Sequence, residues 1–463
     1  MAVRFVIIGG GPAGNQAASY AARHGAKVTL IERDVVGGAA HLWDCIPSKA
    51  MIATGGAMAF VERSAGMGLA ALDADLDTDA LKRRITGIED HLRSSTEDLL
   101  SDQGVRVIRG TGRLTGPHSV VVESSADVGG AAAGLGGGEE LEADAILLAT
   151  GSRPRIPEWC QPDGDRILTT RQAYPPPVMP EHLVVVGSGV TGVEFVHMFA
   201  SFGSKVTLVV SRQQVLPNKD PEVAAALEEE FLRRGVRLFI GARAVAIDRG
   251  EDGVAVRCDD GRVARGSHAL LAIGSVPNSE GLGLETAGVD VDGRGYVPVN
   301  QHCQSNVAHI YAAGDLSGKL PLSSVAAMQG RKIAEHVMGM QAREHRHLDY
   351  DKAPQAVFTE PEIAEVGVAE TEAFATGRKI RVTKVPFSSN PKALINHDSR
   401  GFVKIVSDPA TGIVLGGSIV GRHAAELISV LALAVNCNLR VGDVVDSLLV
   451  HPSVAESLSE AAE

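Results

Sequence analysis

Cysteine is scarce in this chain, with five residues among 463. The five are odd in number and scattered, and no two have a CxxC or metal-ligand spacing. Such usage differs from the disulfide framework of a small secreted protein, fits a reducing cytosol, and predicts no metal site. We expect four of the thiols to be inert, those of Cys160, Cys258, Cys303 and Cys437, which leaves Cys45 as the candidate for a functional role.

A basic excess and a long apolar run are also lacking. The formal net charge is −12, which argues against a nucleic-acid partner because phosphate binding needs a basic face. The longest apolar candidate, Leu427 to Val435, is far shorter than the ~18 residues that cross a bilayer. The N-terminal apolar run from Phe5 leads into glycines rather than a cleavage site. We therefore expect a cytoplasmic protein without an integral membrane segment.

Glycine, in contrast, is abundant, and several glycines form a nucleotide-binding fingerprint. The apolar run Phe5 to Ile8 predicts a buried parallel strand. It ends at a G-x-G-x-x-G pattern made by Gly9, Gly11 and Gly14. An alanine-rich helix and a strand from Lys27 to Ile31 follow, with Glu32 at the strand tip. The glycines let a pyrophosphate approach the helix N-terminus, and the acid can accept from ribose hydroxyls, so we predict a dinucleotide site.

The same unit occurs a second time. A strand from His182 to Val186 leads into a second fingerprint, a helix, and a strand from Lys205 to Val210. The second set of glycines is Gly187, Gly189 and Gly192. Each copy is followed much later by a matching strand and turn, the first containing Thr150 and Gly151 and the second Gly274. Two dinucleotide sites are therefore predicted, and ~150 residues per domain gives about three domains.

The second site lacks the ribose acid. When the copies are aligned by their third glycines, Val210 stands where the first copy has Glu32, and Ser211 and Arg212 follow. A 2′-phosphate would meet a hydroxyl and a cation there instead of a carboxylate, so we expect NADPH to be accepted together with NADH. A solvated surface arginine is the other interpretation of Arg212.

Between the two units lies a glycine-alanine tract, within Glu123 to Glu140, that cannot pack a core. We interpret it as a mobile hairpin tip. The preceding segments, Val105 to Arg113 and Ser119 to Glu123, predict short strands at the edge of the first domain.

The loop Gly37 to Lys49, GGAAHLWDCIPSK, contains one cysteine, Cys45, just before a predicted helix start with Pro47 in its first turn. It resembles the redox loop of the flavoprotein pyridine nucleotide-disulfide oxidoreductases, GG-x-C-x-x-x-x-C-I-P-S-K. Ala40 matches the first cysteine of that pattern, and Cys45 matches the second, which in the family lies against the flavin. A dithiol needs two sulfurs, so this loop cannot store an electron pair as a disulfide.

The resemblance covers essentially the whole chain and implies an α/β fold. It implies two Rossmann-like dinucleotide-binding domains, for FAD and for NAD(P), and a C-terminal α+β dimerisation domain. The expected boundaries are 1–152 (FAD), 153–277 (NAD(P)), 278–347 (FAD, second part) and 348–463 (dimerisation). The family places a helix N-terminus, here that of Leu322 to Gly339, at the pyrimidine edge of the flavin.

Site residues carried over from the family fall into two groups. The FAD residues are Gly9, Gly11, Gly14, Glu32, Gly38, Lys49, Thr150, Gly151, Gly314 and Asp315. The nicotinamide residues are Gly187, Gly189, Gly192, Glu194, Ser211, Arg212 and Gly274. Lys49 and Glu194 match an ion pair beside the flavin ring, where the ammonium would assist hydride transfer electrostatically. A purely structural salt bridge is the other interpretation.

The last part of the chain resembles the family's dimerisation domain, which implies a homodimer. Phe358 to Ala364 and Gly401 to Ile405 alternate like antiparallel strands, and Ala424 to Val435 is strongly apolar. His451 and Glu456 match the histidine and glutamate that serve the first cysteine across the dimer in relatives. They are either a proton donor system or a structural remnant, because the position of that thiol is Ala40.

We interpret the chain as an enzyme that passes hydride from NAD(P)H to FAD and on to a small-molecule acceptor of the quinone type. His451 could supply the proton. The pattern is similar to the lipoamide-dehydrogenase-like NAD(P)H:quinone reductases. Cys45 is either reactive or an inert thiol packed on the flavin, since a helix N-terminus favours its thiolate and Asp44 opposes it.

Two other functions are open. Soluble pyridine nucleotide transhydrogenases belong to the same superfamily, lack an intact dithiol and carry a tryptophan like Trp43. A flavin-bound redox sensor or partner subunit, with Cys45 oxidised to a sulfenic acid, is the third possibility.

Overall fold

The structure is a computed structural model that describes residues 2–70, 72–123, 138–340 and 347–463, with backbone only at Ala40 and His41. The strands are β1 (Arg4–Ile8), β2 (Lys27–Glu32), β3 (Arg106–Arg109), β4 (Thr111–Gly116), β5 (Ser119–Glu123), β6 (Glu139–Glu142), β7 (Ala145–Leu148), β8 (Ser152–Pro154), β9 (Ile167–Thr169), β10 (His182–Val186), β11 (Lys205–Val210), β12 (Arg237–Ile240), β13 (Ala244–Arg249), β14 (Val254–Cys258), β15 (Val263–Gly266), β16 (His268–Leu271), β17 (Ser275–Pro277), β18 (Ile310–Ala312), β19 (Gln355–Val357), β20 (Glu362–Gly367), β21 (Arg381–Pro386), β22 (Phe402–Ser407) and β23 (Val414–Gly421). The helices are α1 (Pro12–Arg23), α2 (Ile46–Arg63), α3 (Thr78–Asp102), α4 (Val190–Ser201), α5 (Pro221–Arg233), α6 (Ser323–Val337), α7 (Glu370–Ala375), α8 (Pro391–Ile395), α9 (Ala424–Cys437), α10 (Val441–Val445) and α11 (Glu456–Ala462).

The chain divides into two compact units. The first comprises Met1–Ser48, Asp79–Arg155 and Ser275–Tyr350, and the second comprises Lys49–Thr78, Ile156–Gly274 and Asp351–Glu463. The predicted NAD(P) domain, 153–277, and the predicted dimerisation domain, 348–463, both fall largely in the second unit. Their separation into two domains therefore stays a prediction.

A parallel sheet of order β18-β7-β1-β2-β3 forms the centre of the first unit. Its inner strands are continuous apolar runs because both faces are covered, and Phe5, Leu30 and Leu147 are fully buried. Helices α1 and α6 pack closely, since a Cβ at Gly330 would lie 2.1 Å from the carbonyl oxygen of Ala13. β18, which follows the second fingerprint in the chain, pairs with β7, so the chain returns to this sheet.

Two antiparallel sheets complete the first unit, one of order β4-β5-β6 and one pairing β8 with β17. β5 ends at Glu123 and pairs with β6. The predicted hairpin tip between them falls on residues 124–137, which lie outside the described residues.

The second unit contains a parallel sheet of order β12-β11-β10-β16-β9. β10 and β11 begin and end at the predicted residues. In both parallel sheets the strand before the fingerprint pairs with the strand of the later turn, so the internal repeat is confirmed. An antiparallel sheet, β13-β14-β15, follows it in the same unit.

The C-terminal part of the second unit has an antiparallel sheet of order β19-β20-β23-β22-β21. The antiparallel strand predicted in Gly401 to Ile405 is confirmed, because β22 pairs antiparallel with β21 and β23, although it is buried at every residue rather than at alternate ones. One face joins the apolar core with Leu431 of α9, and carboxylates surround Lys404 of the same strand. Phe358–Pro361 lies between β19 and β20 rather than in a strand, at a proline that cannot donate to a ladder.

Candidate functional site

The first glycine loop is closed so tightly that only glycine fits at two of its positions. A Cβ at Gly9, whose φ is +109°, would lie 2.3 Å from the carbonyl oxygen of Ala149. A Cβ at Gly14 would lie 1.9 Å from the carbonyl oxygen of Gly9. Helix α1 starts directly after Gly11, which provides no side-chain cap. The first N–H groups of α1 can therefore face an anion.

Glu32 closes the other side of this loop. It is 9% exposed. Its Oε2 accepts from the Gly10 amide at 2.6 Å, and its Oε1 accepts from the Asp34 amide at 2.8 Å. The start of the cysteine loop packs onto the same place, since a Cβ at Gly38 would lie 2.4 Å from the Gly11 Cα. The carboxylate predicted to bind a ribose is thus held at the end of β2 beside the glycines.

Asp315 and Gly314 are fixed by side chains that sequence reasoning missed. Ser152 donates to Asp315 Oδ2 at 2.5 Å, and the Gly314 amide donates to Gln329 Oε1 at 2.8 Å. The Ser152 contact joins residues that are 163 positions apart, so no local pattern points to it. Binding of a ligand hydroxyl by the Asp315 carboxylate stays a prediction.

Thr150 and Gly151 have structural partners in this unit. The Thr150 hydroxyl donates to the Asn278 carbonyl oxygen at 2.7 Å, and the Asn278 amide donates to the Gly151 carbonyl oxygen at 2.9 Å. The Asn278 side chain donates to the Thr150 carbonyl oxygen at 2.9 Å. Asn278, another missed residue, therefore locks the turn, and cofactor binding by Thr150 and Gly151 stays a prediction.

These features fit FAD. A Cβ at Gly9, Gly14 or Gly38 would collide with neighbouring backbone. The cradle at the start of α1 is therefore built of bare glycine backbone, which a pyrophosphate needs for close approach to a helix N-terminus. Glu32 and Asp315 are carboxylates, the kind of acceptor that the hydroxyl groups of a dinucleotide need.

Cys45 ends a π-helical turn, Ala40–Cys45, that runs directly into α2. Its Sγ lies 3.9 Å from the Ser323 Oγ at the start of α6. Its carbonyl oxygen accepts from the Ser48 hydroxyl at 3.0 Å. None of the five cysteines, all of which lie in the described part of the chain, forms a disulfide. The thiol expected to face the flavin therefore lies beside the helix expected to face it.

The second glycine loop repeats the first. A Cβ at Gly187 would lie 2.3 Å from the Ala272 carbonyl oxygen, and one at Gly192 would lie 1.9 Å from that of Gly187. Helix α4 starts after Gly189 without a side-chain cap. Gly274 has a φ of +91°, a conformation that residues with a side chain rarely adopt, although nothing lies within 4 Å of a Cβ placed there. The same geometry supports a second pyrophosphate site.

The loop after β11 is held in place although its tip is open. Ser211 and Arg212 are exposed. The Leu216 amide donates to the Ser188 carbonyl oxygen at 2.8 Å, and the Val215 amide donates to Glu228 Oε1 at 2.8 Å. The loop therefore presents Ser211 and Arg212 from a fixed base next to the second glycine loop.

Lys49 and Glu194 form the ion pair that the sequence predicts. Lys49 Nζ lies 3.0 Å from Glu194 Oε2, and the Glu194 side chain is 7% exposed. Glu194 Oε1 accepts from the Phe358 amide at 3.0 Å, and Lys49 Nζ lies 4.7 Å from the centroid of the Phe358 ring. Sequence reasoning missed Phe358, since it is 164 residues from Glu194 in the chain.

His451 and Glu456 are also paired. His451 Nδ1 lies 2.6 Å from Glu456 Oε1, and the His451 side chain is 70% exposed in the protomer. The Ser453 amide and then the His451 ring lower the pKa of Glu456. Glu456 stays ionised near neutral pH and holds the imidazole by Nδ1, which leaves Nε2 pointing away from the pair.

Two dinucleotide cradles, a loop with a single cysteine and a C-terminal antiparallel domain define an FAD- and NAD(P)H-dependent oxidoreductase. A family model described as pyridine nucleotide-disulphide oxidoreductase matches residues 3–330, and the dimerisation domain of the same enzymes matches residues 353–462. The chain belongs to the pyridine nucleotide-disulphide oxidoreductase family. The predicted fold class, enzyme class and cofactors are thereby confirmed.

The relatives span the whole chain. An NAD(P)H dehydrogenase (quinone) of Mycobacterium tuberculosis is 42% identical over 467 residues, which cover 100% of this chain and 94% of that protein. A dihydrolipoyl dehydrogenase of Zymomonas mobilis is 34% identical over a match that covers 98% of this chain and 96% of that protein. The crystal structure of LpdA from Mycobacterium tuberculosis superposes with a TM-score of 0.92 at 41% identity and covers 99% of each chain.

Within the described ranges, the helices include none that combines the length and the apolarity needed to cross a bilayer.

Proposed function

We propose that this protein is an FAD-dependent NAD(P)H dehydrogenase that delivers electrons to a quinone-type acceptor without a redox-active disulfide. One observation carries the proposal. The loop leading into α2 holds a single thiol, Cys45, and the position of the partner thiol is Ala40. Relatives with 42% identity named NAD(P)H dehydrogenase (quinone) support the acceptor class.

The cofactor and the chain divide the work. Bound FAD supplies the capacity to take two electrons from a nicotinamide and give them to an acceptor, which no amino-acid side chain offers. Glu32 and Asp315 would hold it, with Gly9, Gly11, Gly14 and Gly38 around its pyrophosphate. Lys49, paired with Glu194, would stabilise negative charge that develops beside it. A quinone is flat and takes two electrons, so it needs neither a dithiol nor a covalent intermediate.

We propose that His451 provides the proton that a reduced quinone needs. Its Nδ1 is held by Glu456 at 2.6 Å, so Nε2 can carry the transferable proton. The exposure of His451 in the protomer agrees with a role at the seam of a homodimer, which we also propose.

We propose that NADPH is used together with NADH, because Val210, the last residue of β11, stands where the first copy has Glu32, and Ser211 and Arg212 follow it directly. The test compares KM for NADH and NADPH in wild type and in Arg212→Ala. We expect the KM for NADPH alone to rise, about tenfold for the loss of one charge-assisted contact of ~1.4 kcal/mol. Equal small changes in both values would reject the role.

The test of the function is acceptor specificity. Purified holoenzyme is mixed with NADH or NADPH and with a soluble quinone, lipoamide, glutathione disulfide or an NAD analogue. We expect rapid oxidation of the nicotinamide with the quinone and no detectable reduction of either disulfide. Robust lipoamide reduction would overturn the proposal. Hydride transfer to the NAD analogue without quinone reduction would identify a transhydrogenase instead.

A further inference from the structure

We propose that Phe358 is a positioning residue that sets the geometry of the Lys49–Glu194 pair. It lies between β19 and β20, in the part of the chain that matches the dimerisation domain. The inference rests on the proposed electrostatic role of Lys49. Phe358, which lies outside both glycine fingerprints, would control that role by holding Lys49 in place.

Phe358 contacts both members of the pair. Its backbone N–H donates to Glu194 Oε1 at 3.0 Å, and Glu194 Oε2 faces Lys49 Nζ at 3.0 Å. Each carboxylate oxygen therefore has its own partner, which fixes the carboxylate plane. The Phe358 ring lies 4.7 Å from Lys49 Nζ and holds the ammonium on a second side. Two directions of restraint, one ionic and one aromatic, leave Lys49 few alternative rotamers.

Phe358 is itself held by its neighbours. The preceding residue, Val357, pairs with Ile363 in the β19–β20 ladder. The following Thr359 is buried, and its hydroxyl donates to the Pro361 carbonyl oxygen at 2.7 Å. The ring therefore lies on backbone that is fixed before and after it.

The same short segment also contacts the far end of α2. Glu360 forms an ion pair with Arg63, the last residue of α2, and another with Arg400 at 2.9 Å. Lys49 and Arg63 are 14 residues apart, which corresponds to about 21 Å of helix. The segment Phe358–Glu360 thus binds one cation near each end of α2. The position of Lys49 is set by the antiparallel domain and not only by the glutamate across from it.

The experiment uses holoenzyme carrying Phe358→Leu, which keeps an apolar side chain but removes the ring, and Phe358→Tyr, which keeps the ring. We expect kcat of Phe358→Leu to fall about fivefold, the factor that a contact of roughly 1 kcal/mol represents, with KM little changed. The midpoint potential of the bound flavin should become more negative in Phe358→Leu, because the ammonium is held less firmly. Phe358→Tyr should match wild type in both measurements.

The chain offers a matched control. Lys384 Nζ lies 4.4 Å from the ring of Phe402, a contact of the same chemistry in the same unit. Phe402→Leu should leave kcat and the flavin potential unchanged, and its melting temperature calibrates the structural cost of losing such a ring. A fall in kcat with Phe402→Leu equal to that with Phe358→Leu would reject a specific positioning role.

A double mutant separates an effect through Lys49 from an independent one. If Phe358 acts through the ammonium, Phe358→Leu should change neither kcat nor the potential in the Lys49→Met background. A further fivefold loss there, or a Phe358→Leu enzyme equal to wild type, would overturn the inference. If wild type fails to reduce quinones while the variants still differ in flavin potential, the acceptor proposal fails and the positioning role stands.

Discussion

His197 lies on α4 one turn beyond Glu194 and is fully buried. Its Nδ1 accepts from an N–H of Arg234 at 3.0 Å, so the ring is neutral and its proton is on Nε2. Burial first, and then the charges of Arg234 and Arg400, lower the pKa of His197 to about 3. A neutral histidine is thus built into the helix that carries the ion pair.

Because His197 is buried in its neutral form, we expect the free energy of unfolding to fall at acid pH. The unfolded His197 takes up a proton near its ordinary pKa of about 6.5, whereas the folded one does so only near 3. Protonation therefore favours the unfolded state, and stability is lost as pH falls through this window, by about 1.4 kcal/mol per pH unit. Urea unfolding at pH 7 and pH 5 gives the free energy of unfolding at each pH. Between the two pH values, this free energy should change by ~2 kcal/mol less in His197→Gln than in wild type.

The exposed His91 provides the control for this residue. His91→Gln should keep the wild-type dependence on pH, because its side chain is in solvent. A His197→Gln protein with the full wild-type dependence would show that the acid sensitivity arises elsewhere.

At the scale of elements, the contact between α2 and α4 brings Lys49 and Glu194 together. Gly55 of α2 faces Ser201 of α4, where a Cβ would lie 2.9 Å from the Ser201 Cβ. Ser201 cannot easily give way, since its hydroxyl donates to the His197 carbonyl oxygen at 2.8 Å and accepts from Arg234 at 2.8 Å. Close approach of these helices therefore depends on the glycine.

The neighbouring glycines of α2 make a matched pair of substitutions. Gly55→Ala should destabilise the protein by roughly 1–3 kcal/mol through overpacking and should lower kcat by moving Lys49 relative to Glu194. Gly56 has nothing within 4 Å of an added Cβ, so Gly56→Ala should be neutral or stabilising by about 0.5–1 kcal/mol. Thermal unfolding and steady-state rates of the two variants check this, and equal behaviour would contradict the helix contact as the cause.

Some elements of this fold can be predicted from the sequence, and others cannot. The two dinucleotide folds are predictable because strand, glycines, helix and next strand lie within about thirty residues and their pattern is local. Phe358, Ser152 and Asn278 are not, because each acts on a residue more than a hundred positions away. The burial of both faces of β22 is not predictable either, because Lys404, the polar residue in the pattern, is buried among carboxylates rather than solvated.

At the scale of the whole molecule, exposed apolar residues on the C-terminal domain agree with the proposed homodimer. Leu433, Leu448 and Val450 are 61%, 89% and 74% exposed in the protomer, and the last two closely precede His451. We predict that the double substitution Leu448→Asp and Val450→Asp gives a monomer in light scattering after gel filtration, because two carboxylates would have to be desolvated at the interface.

The control for this prediction is Leu232→Asp, at an apolar residue of α5 that is 59% exposed. It should leave the dimer intact. A double variant that remains dimeric would place the interface elsewhere on the chain. A monomer that keeps full quinone reduction would reject the proposed role of His451 across the seam.

The central claim concerns how many electrons one protomer can hold, because Ala40 removes the partner that Cys45 would need to form a disulfide. Anaerobic reductive titration of the holoenzyme, followed by flavin absorbance, measures this number directly. We predict two electrons per FAD for the wild type and four for Ala40→Cys, in which the second thiol is restored. Uptake of four electrons by the wild type would contradict the account.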